Sequence, residues 1–314
     1  MKYIISWITD KIFLFPIKEV LPMDDKDWLI LKTIAEEKNI TKAADRLYIS
    51  QPALTYRLRN LEKEFAAKLV SRHPSGVILT PQGESVLAYA QEMLLQLRKT
   101  KERVQNMENK VQGTLRLGTS SVFAHYLLPP ILKTFLEKYP DVEVSLTTGL
   151  SRRINRMLQK EEISVAIIRG DYHWVEQKVL LGDEPLCLVS SHPIEFKDLP
   201  CLPQVSYLTD SSLEPMIQEW WRESFSEPPH IPMKVDNMDT CRQMVLHGLG
   251  WAILPAIGLR QQGAPFTQEL YWRNGEPLRR RTWMIYPTAA LDLSAVAAFT
   301  EYMKNQDCMG QRTK

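Results

Sequence analysis

Apolar positions recur every three to four residues from residue 24 onwards. Trp28, Leu31, Ile34 and Ala35 mark one face of a first helix. In the next stretch, NITKAADRLYIS, Asn39 or Thr41 is suited to cap a short second helix. Its buried face is Ile40, Ala43, Ala44 and Leu47, and the paired alanines suit a close helix crossing. Ser50 caps a third helix, with Pro52 in its first turn, where a missing N–H costs nothing. Leu54, Leu58, Leu61 and Phe65 form its apolar stripe; the other face carries Gln51, Thr55, Tyr56, Arg57 and Arg59. Pro81 then opens a helix that meets no proline, and no glycine after Gly83, until about residue 109. Leu87, Ala90, Leu94, Leu97, Val104 and Val111 follow alternating three- and four-residue steps, interrupted by Lys101 and Glu108. Such a helix is roughly 40 Å long.

After Gln112-Gly113 the texture changes. Residues 114–119 (TLRLGT) alternate like a strand, 125–139 are helical, 141–147 form a strand and 151–160 a helix. The run 163–168 (ISVAII) is apolar enough for a strand covered on both faces. Strands alternating with helices predict a parallel α/β sheet. A second lobe is expected to begin near Glu184, with strand 186–189, a Trp-rich helix over 214–225, strand 233–235 and a helix after Asn237 ending at Gly248. Segment 281–286 (RTWMIY) returns to the first lobe.

Composition narrows the class. With 44% hydrophobic and 24% charged residues, the 314-residue chain is neither disordered nor a fibrous repeat. Its net charge of +2 produces no global field, so an anionic partner must meet a local patch. Cys187, Cys201, Cys241 and Cys308 form no CxxC pair and read as reduced, buried thiols of a cytoplasmic protein. No HExxH, Cys/His cluster or GxSxG is present, so no metal, cofactor or catalytic residue is expected, nor an enzyme. Residues 1–22 are apolar, but Asp10 and Lys11 cut the run and no small-residue cleavage site follows. They read as a loosely packed extension outside the core fold, with Met23 a candidate initiator; an added packing segment and an interfacial membrane anchor are the weaker alternatives. No other stretch approaches the roughly 20 apolar residues needed to span a bilayer.

The third helix has the look of a DNA-reading element. One side fits a small core while the other offers amides, hydroxyls and guanidiniums to base edges and phosphates. Residues 38–80 hold eight Lys/Arg against three acids, a net of +5. An ordinary charged helical bundle fits that pattern too. The residues themselves favour the first reading. AADRLYISQPALTYRLRNLEKEF resembles the winged helix-turn-helix of LysR-type transcriptional regulators, and LVSRHPSGVILTPQGESVL resembles that family's wing. Val70, Thr55 and Pro81 depart from the usual residues without removing a polar group. The resemblance implies that Ser50 and Arg72 contact phosphate and that Gln51, Pro52, Thr55, Tyr56 and Arg59 face the major groove of a double-stranded operator. Arg57 is assigned to either role. It also implies that the long helix makes a homodimer, within a homodimer or homotetramer, rather than packing only on its own domain. RNA polymerase is a further candidate partner.

The expected architecture is an α-helical winged helix-turn-helix domain (23–80), a linker helix (81–112) and a two-lobed, periplasmic-binding-protein-like α/β effector domain (113–314). Lobe I takes 113–182 and 284–314, and lobe II 183–283. Ligands in such sheets sit beyond the carboxyl ends of the strands, between the lobes. Ser120, Ser121, Thr148, Gly149 and Ser151 fall there, and Arg169 follows ISVAII, suited to bidentate capture of a carboxylate. The bland alternatives are helix capping for Ser120 and Ser121, a surface or inter-lobe salt bridge for Arg169, and a helix-face position for His125. SLTTGLS, AIIRGDYHW, VDNMDTCRQMVLHGLGWAILP and GEPLRRRTW resemble citrate-responsive catabolite-control regulators of the LysR type. That resemblance implies citrate, or a close carboxylate, held by Ser121, Ser151, Arg169 and Arg280. Arg279 and Arg281 blur which of three neighbours is used, and Arg152 and Arg153 depart from the subgroup. A regulator without effector, a solute-binding protein and an enzyme are the rival readings.

Overall fold

The computed structural model describes residues 3–8, 11–16, 24–74, 76–105, 110–259 and 266–306; Glu108 and Cys308 of the sequence reading lie outside them. The chain divides into two compact units, residues 1–101 and 102–314.

In the first unit, β1 (Tyr3–Ile8) and β2 (Lys11–Pro16) pair antiparallel and join no other sheet. The aromatic and β-branched residues of this stretch suit strands, so the expected loose leader contains a hairpin. Helix α1 (Asp25–Glu37) starts with a capping box between Asp24 and Asp27. Asn39, not Thr41, caps α2 (Ile40–Arg46), and Ser50 caps α3 (Gln51–Glu64) by accepting from the Ala53 N–H. Ile30, Ile34, Ala43, Ala44, Leu54 and Leu58 bury one core. Phe65 departs from the expected stripe: it ends α3, is exposed and leans on Trp28. The wing is an antiparallel pair, β3 (Val70–His73) and β4 (Gly76–Leu79).

Helix α4 (Pro81–Gln105) follows. Val86 and Ala90 are buried with Trp28, Leu31, Leu61 and Leu69, and Leu87 and Leu94 pack against them. The first half of the heptad-like seam is therefore spent on its own domain. Leu97 and Val104 are exposed. Val111 falls beyond the helix and packs on the second unit's core, so it is not a seam position. At Gly83 an added Cβ would lie 1.9 Å from the Leu69 carbonyl oxygen, a backbone atom that cannot turn aside. Gly83→Ala is expected to cost the first unit about 1–3 kcal/mol, read as a lowered denaturant midpoint.

The second unit is built on a seven-stranded sheet ordered β11-β8-β13-β7-β5-β6, with β12 also paired to β8. Strands β5 (Gly113–Ser120), β6 (Val142–Gly149) and β7 (Val165–Arg169) are parallel. The remaining pairings are antiparallel: β8 (Gln177–Ser190), β11 (Ala252–Pro255), β12 (Phe266–Glu269) and β13 (Arg279–Tyr286). The sheet is thus mixed, not parallel throughout. The cause is β8, fourteen residues long, which runs from one lobe into the other, where a separate strand 186–189 was expected. The predicted helix 125–139 is two, α5 (Ser121–Tyr126) and α6 (Leu128–Lys138), with proline at the start of the second. Helix α7 (Ser151–Gln159) covers one face of the parallel strands and α10 (Ser294–Lys304) packs on β5 and β8. Lobe II adds the parallel pair β9 (Val205–Tyr207) and β10 (Met233–Val235), with α8 (Leu213–Ser224) and α9 (Met238–Leu246). Its core is Trp220, Trp221, Trp251 and the leucines around them. Cys187 and Cys241 are buried in the sheet and α9, whereas Cys201 is exposed, against expectation. No described helix is long and apolar enough to cross a membrane.

Candidate functional site

On α3 the buried row Leu54, Leu58 and Leu61 leaves the opposite face open. Gln51, Pro52, Tyr56 and Arg59 are exposed and Thr55 is half-buried, one helical face at the expected spacing; Ser50 is exposed at its N-terminus. Arg72 is exposed on the wing strand. Arg59 and Arg72 have no ion-pair partner among the described residues, so both guanidiniums are available to an anion. Arg57 does not belong with them. Its Nη1 donates to Asp24 (3.1 Å) and Asp27 (3.0 Å), so it braces α3 against the cap of α1. Burial works against ionising Asp24, yet the Asp27 N–H and the Arg57 guanidinium hold its carboxyl below its ordinary value. Tyr48, almost fully exposed in the turn before α3 at φ 55°, extends this surface and was not anticipated.

In the second unit, Ser120, Ser121, Gly149, Ser151, Arg169 and Arg280 line one cavity between the lobes, together with Tyr207, Thr209 and Asp210. Thr148 is exposed and is not part of the lining. The strand period explains Arg280: Arg279 and Arg281 point to the other face of β13, against Asp183 and Asp171, and Arg280 alone is buried inward. Arg152 and Arg153 are exposed and do not line the cavity, although Arg153 lies against Gly149, which does; His125 is exposed on α5.

The serines are already engaged. Ser120 Oγ accepts from the Phe123 N–H (3.3 Å), capping α5, and Ser151 Oγ accepts from the Arg169 N–H (3.0 Å). Each oxygen used as an acceptor leaves its hydroxyl proton to donate elsewhere.

Both arginines have carboxylate partners that the sequence reading missed. Arg169 pairs with Glu184, both 3% exposed, and the other Glu184 oxygen accepts the Ile257 N–H. The inter-lobe salt bridge, the bland alternative for Arg169, is therefore what this structure holds. Arg280 Nη2 donates to both oxygens of Asp210, at 2.9 and 2.8 Å, and to the Arg169 carbonyl oxygen at 3.3 Å. Burial opposes ionisation of Asp210, but Arg280 and the Ser212 hydrogen bonds outweigh it and hold the carboxyl below its ordinary value. The pair's contribution to stability is thus complete above that ordinary value and is lost only as pH falls through the lower folded one.

Donors remain unmet. Arg280 Nε and Nη1, Arg169 Nε and Tyr207 Oη are buried without a hydrogen-bond partner. Burial raises the Tyr207 phenol, against the pull of Arg280 and Arg169, so it stays protonated and able to donate. Buried donors left unpaired cost about 1–3 kcal/mol each. Arg280, Arg169 and Tyr207 all line the same cavity. The cavity is only about 60 Å³, below the roughly 300–1,000 Å³ of ligand pockets. A larger pocket of about 680 Å³ lies in lobe II against Trp221, Phe225 and Lys234, sharing Tyr207, Leu208 and Thr209 as a wall. None of the anticipated residues lines it, and the unmet donors favour the smaller cavity.

Comparison with known proteins agrees with both halves. Residues 26–84 match the bacterial regulatory helix-turn-helix protein, lysR family, and residues 108–307 match the LysR substrate binding domain. The HTH-type transcriptional regulator YraN of Bacillus subtilis is 41% identical over 284 residues, 90% of this chain and 98% of its own. YkuM of the same organism is 35% identical over 278 residues, 88% and 95% of the two chains. Full-length CbnR complexed with its target DNA shares the fold at a TM-score of 0.65 and 20% identity, over 90% of this chain and 99% of that one. A full-length cysteine variant of OxyR from Pseudomonas aeruginosa does so at 0.62 and 21%, over 91% and 96%. The chain belongs to the LysR family: it is a DNA-binding transcriptional regulator, not an enzyme, with a helix-turn-helix domain followed by a two-lobed effector-binding domain.

Proposed function

We propose that this regulator reads its operator through the exposed face of α3 and is controlled by a small carboxylate bound between the lobes, citrate being the first candidate. Gln51, Thr55, Tyr56 and Arg59, with Pro52 between them, face the major groove; Ser50 and Arg72 hold phosphate. The duplex-facing role is supported by exposure, by the unpaired guanidiniums of Arg59 and Arg72, and by the core that fixes the helix from behind. Arg57, paired through Nη1 with Asp24 and Asp27, is given a bracing role rather than a base contact in this reading. A homodimer joined through α4 fits the exposed Leu97 and Val104, and suits a recognition helix that alone reads few bases.

The observation that carries the effector reading is Arg280, only 3% exposed with two nitrogens unpartnered, beside the hydroxyls of Ser120, Ser121 and Tyr207. A carboxylate accepts from all of them. The present cavity is too small for a tricarboxylate, so binding must accompany a change in the pose of the lobes, which is what a regulator needs. Calorimetric titration of the full-length chain with citrate and with smaller di- and monocarboxylates tests this. Heat with citrate that disappears in Arg280→Ala is the expected result. No heat with any carboxylate would leave the cleft without this function.

A further inference from the structure

Two carboxylates of the protein occupy the two arginines assigned above to an effector, and they are held very differently. Glu184 sits within β8, in the middle of the sheet, register-paired with Arg280 itself. Its two oxygens are divided between the Arg169 guanidinium and the Ile257 N–H, so moving it would break the sheet's own bracing. Asp210 lies outside any strand, in the short connection between β9 and α8. Apart from Arg280, the hydrogen-bond partners of its carboxylate are the N–H and hydroxyl of Ser212, at 3.3 and 2.6 Å, and both travel with the same connection.

We propose that Asp210 is a built-in counter-carboxylate. In the ligand-free protein it occupies Arg280, and an effector carboxylate must displace it. This rests on the carboxylate reading of the cleft and adds the residue that sets the threshold for binding and the kind of ligand admitted. Three observations carry it. Asp210 meets Arg280 with both carboxylate oxygens. It uses only Nη2, so Nε and Nη1 remain open to an incoming anion before the latch is released. The cavity beside the pair is about 60 Å³, and the Asp210 side chain is part of its wall, so exchange also makes room.

The same segment ties the lobes together. Ser212 Oγ, whose proton goes to Asp210, lies 3.5 Å from the Arg169 carbonyl oxygen. Gly170, at φ +100°, lets the strand end come so close that a Cβ there would meet Ser212 Oγ at 2.1 Å. Displacing Asp210 therefore loosens the contact between the end of β7 and the start of α8, and couples occupancy of the cleft to the pose of lobe II. Ligands that cannot supply a carboxylate to Arg280 cannot compensate for the pair they break, because a buried guanidinium left alone is costly. A neutral ligand of similar size is excluded on that ground.

The test is citrate titration of full-length wild type and Asp210→Asn, with acetate as a minimal carboxylate probe. Asparagine keeps the shape and loses the charge that competes. A latch that holds most molecules closed lowers apparent affinity by the fraction left open, so the variant is expected to bind citrate about tenfold or more tightly. Ser212→Ala leaves the ion pair and removes one hydroxyl bond to Asp210, and is expected to shift affinity the same way by a smaller factor. It serves as the readout if Asp210→Asn does not fold. Unchanged or weaker citrate binding in these variants, with wild type binding, overturns the latch and leaves the carboxylate reading standing. No binding by wild type or by either variant overturns both.

Discussion

Glu184→Ala is expected to lower the stability of the effector-binding unit by about 3–5 kcal/mol, among the largest effects of any single substitution in this chain. The substitution strands Arg169, which is 3% exposed, and it removes the acceptor of the Ile257 N–H. Solvent cannot reach either group to compensate. Breaking one partner out of a buried pair costs more than the pair itself contributes, because the remaining charge is desolvated and alone. Adding Arg169→Met should therefore recover much of the loss, since a well-packed apolar side chain carries no charge to strand. Thermal unfolding of the full chain followed by tryptophan fluorescence reads the effect, because Trp174, Trp220, Trp221, Trp251, Trp272 and Trp283 all lie in this unit. A loss within about 1 kcal/mol, or a double variant no better than the single one, would mean that Glu184 is not the brace described.

Arg59→Ala should weaken binding to a selected operator by about 5- to 150-fold, corresponding to roughly 1–3 kcal/mol for a bidentate contact to a base edge. Binding to random duplex at the same salt should fall far less. Arg59 is exposed on the outward face of α3 and no carboxylate among the described residues of its domain claims it, unlike Arg57. Arg72→Ala is the control: a phosphate contact is lost equally on both duplexes, and the salt slope drops by about one. Operators are obtained by selecting from random duplexes with the full chain. Equal losses for Arg59→Ala on the two duplexes would move Arg59 from base reading to backbone contact.

The helix-turn-helix was legible because its information is local. Caps at Asp24, Asn39 and Ser50, a helical row of leucines and a proline in the first turn of α3 each act over three or four residues. Arg57 misled because its spacing puts it near the polar face, while its partners Asp24 and Asp27 come from another helix. The same limit applied in the cleft. Ser120, Ser151, Arg169 and Arg280 were reachable from strand ends and from resemblance, and all line the cavity. Their partners were not, since Asp210 is 70 residues from Arg280 and Glu184 is 15 from Arg169, with no periodicity linking them. Thr148 is exposed near the end of β6, and its neighbour Gly149 is the residue of that strand that lines the cavity. The mixed sheet was missed because a strand shared by two lobes reads, residue by residue, as two short ones.

The measurement that bears most directly on the whole account is the affinity of the full-length chain for its selected operator, with and without saturating citrate. A carboxylate that binds one pose of the lobes better by about 1–3 kcal/mol shifts operator affinity by roughly 5- to 150-fold. A shift of that size, absent in Arg280→Ala, is the result predicted. Citrate that binds the cleft and leaves operator affinity unchanged would contradict it.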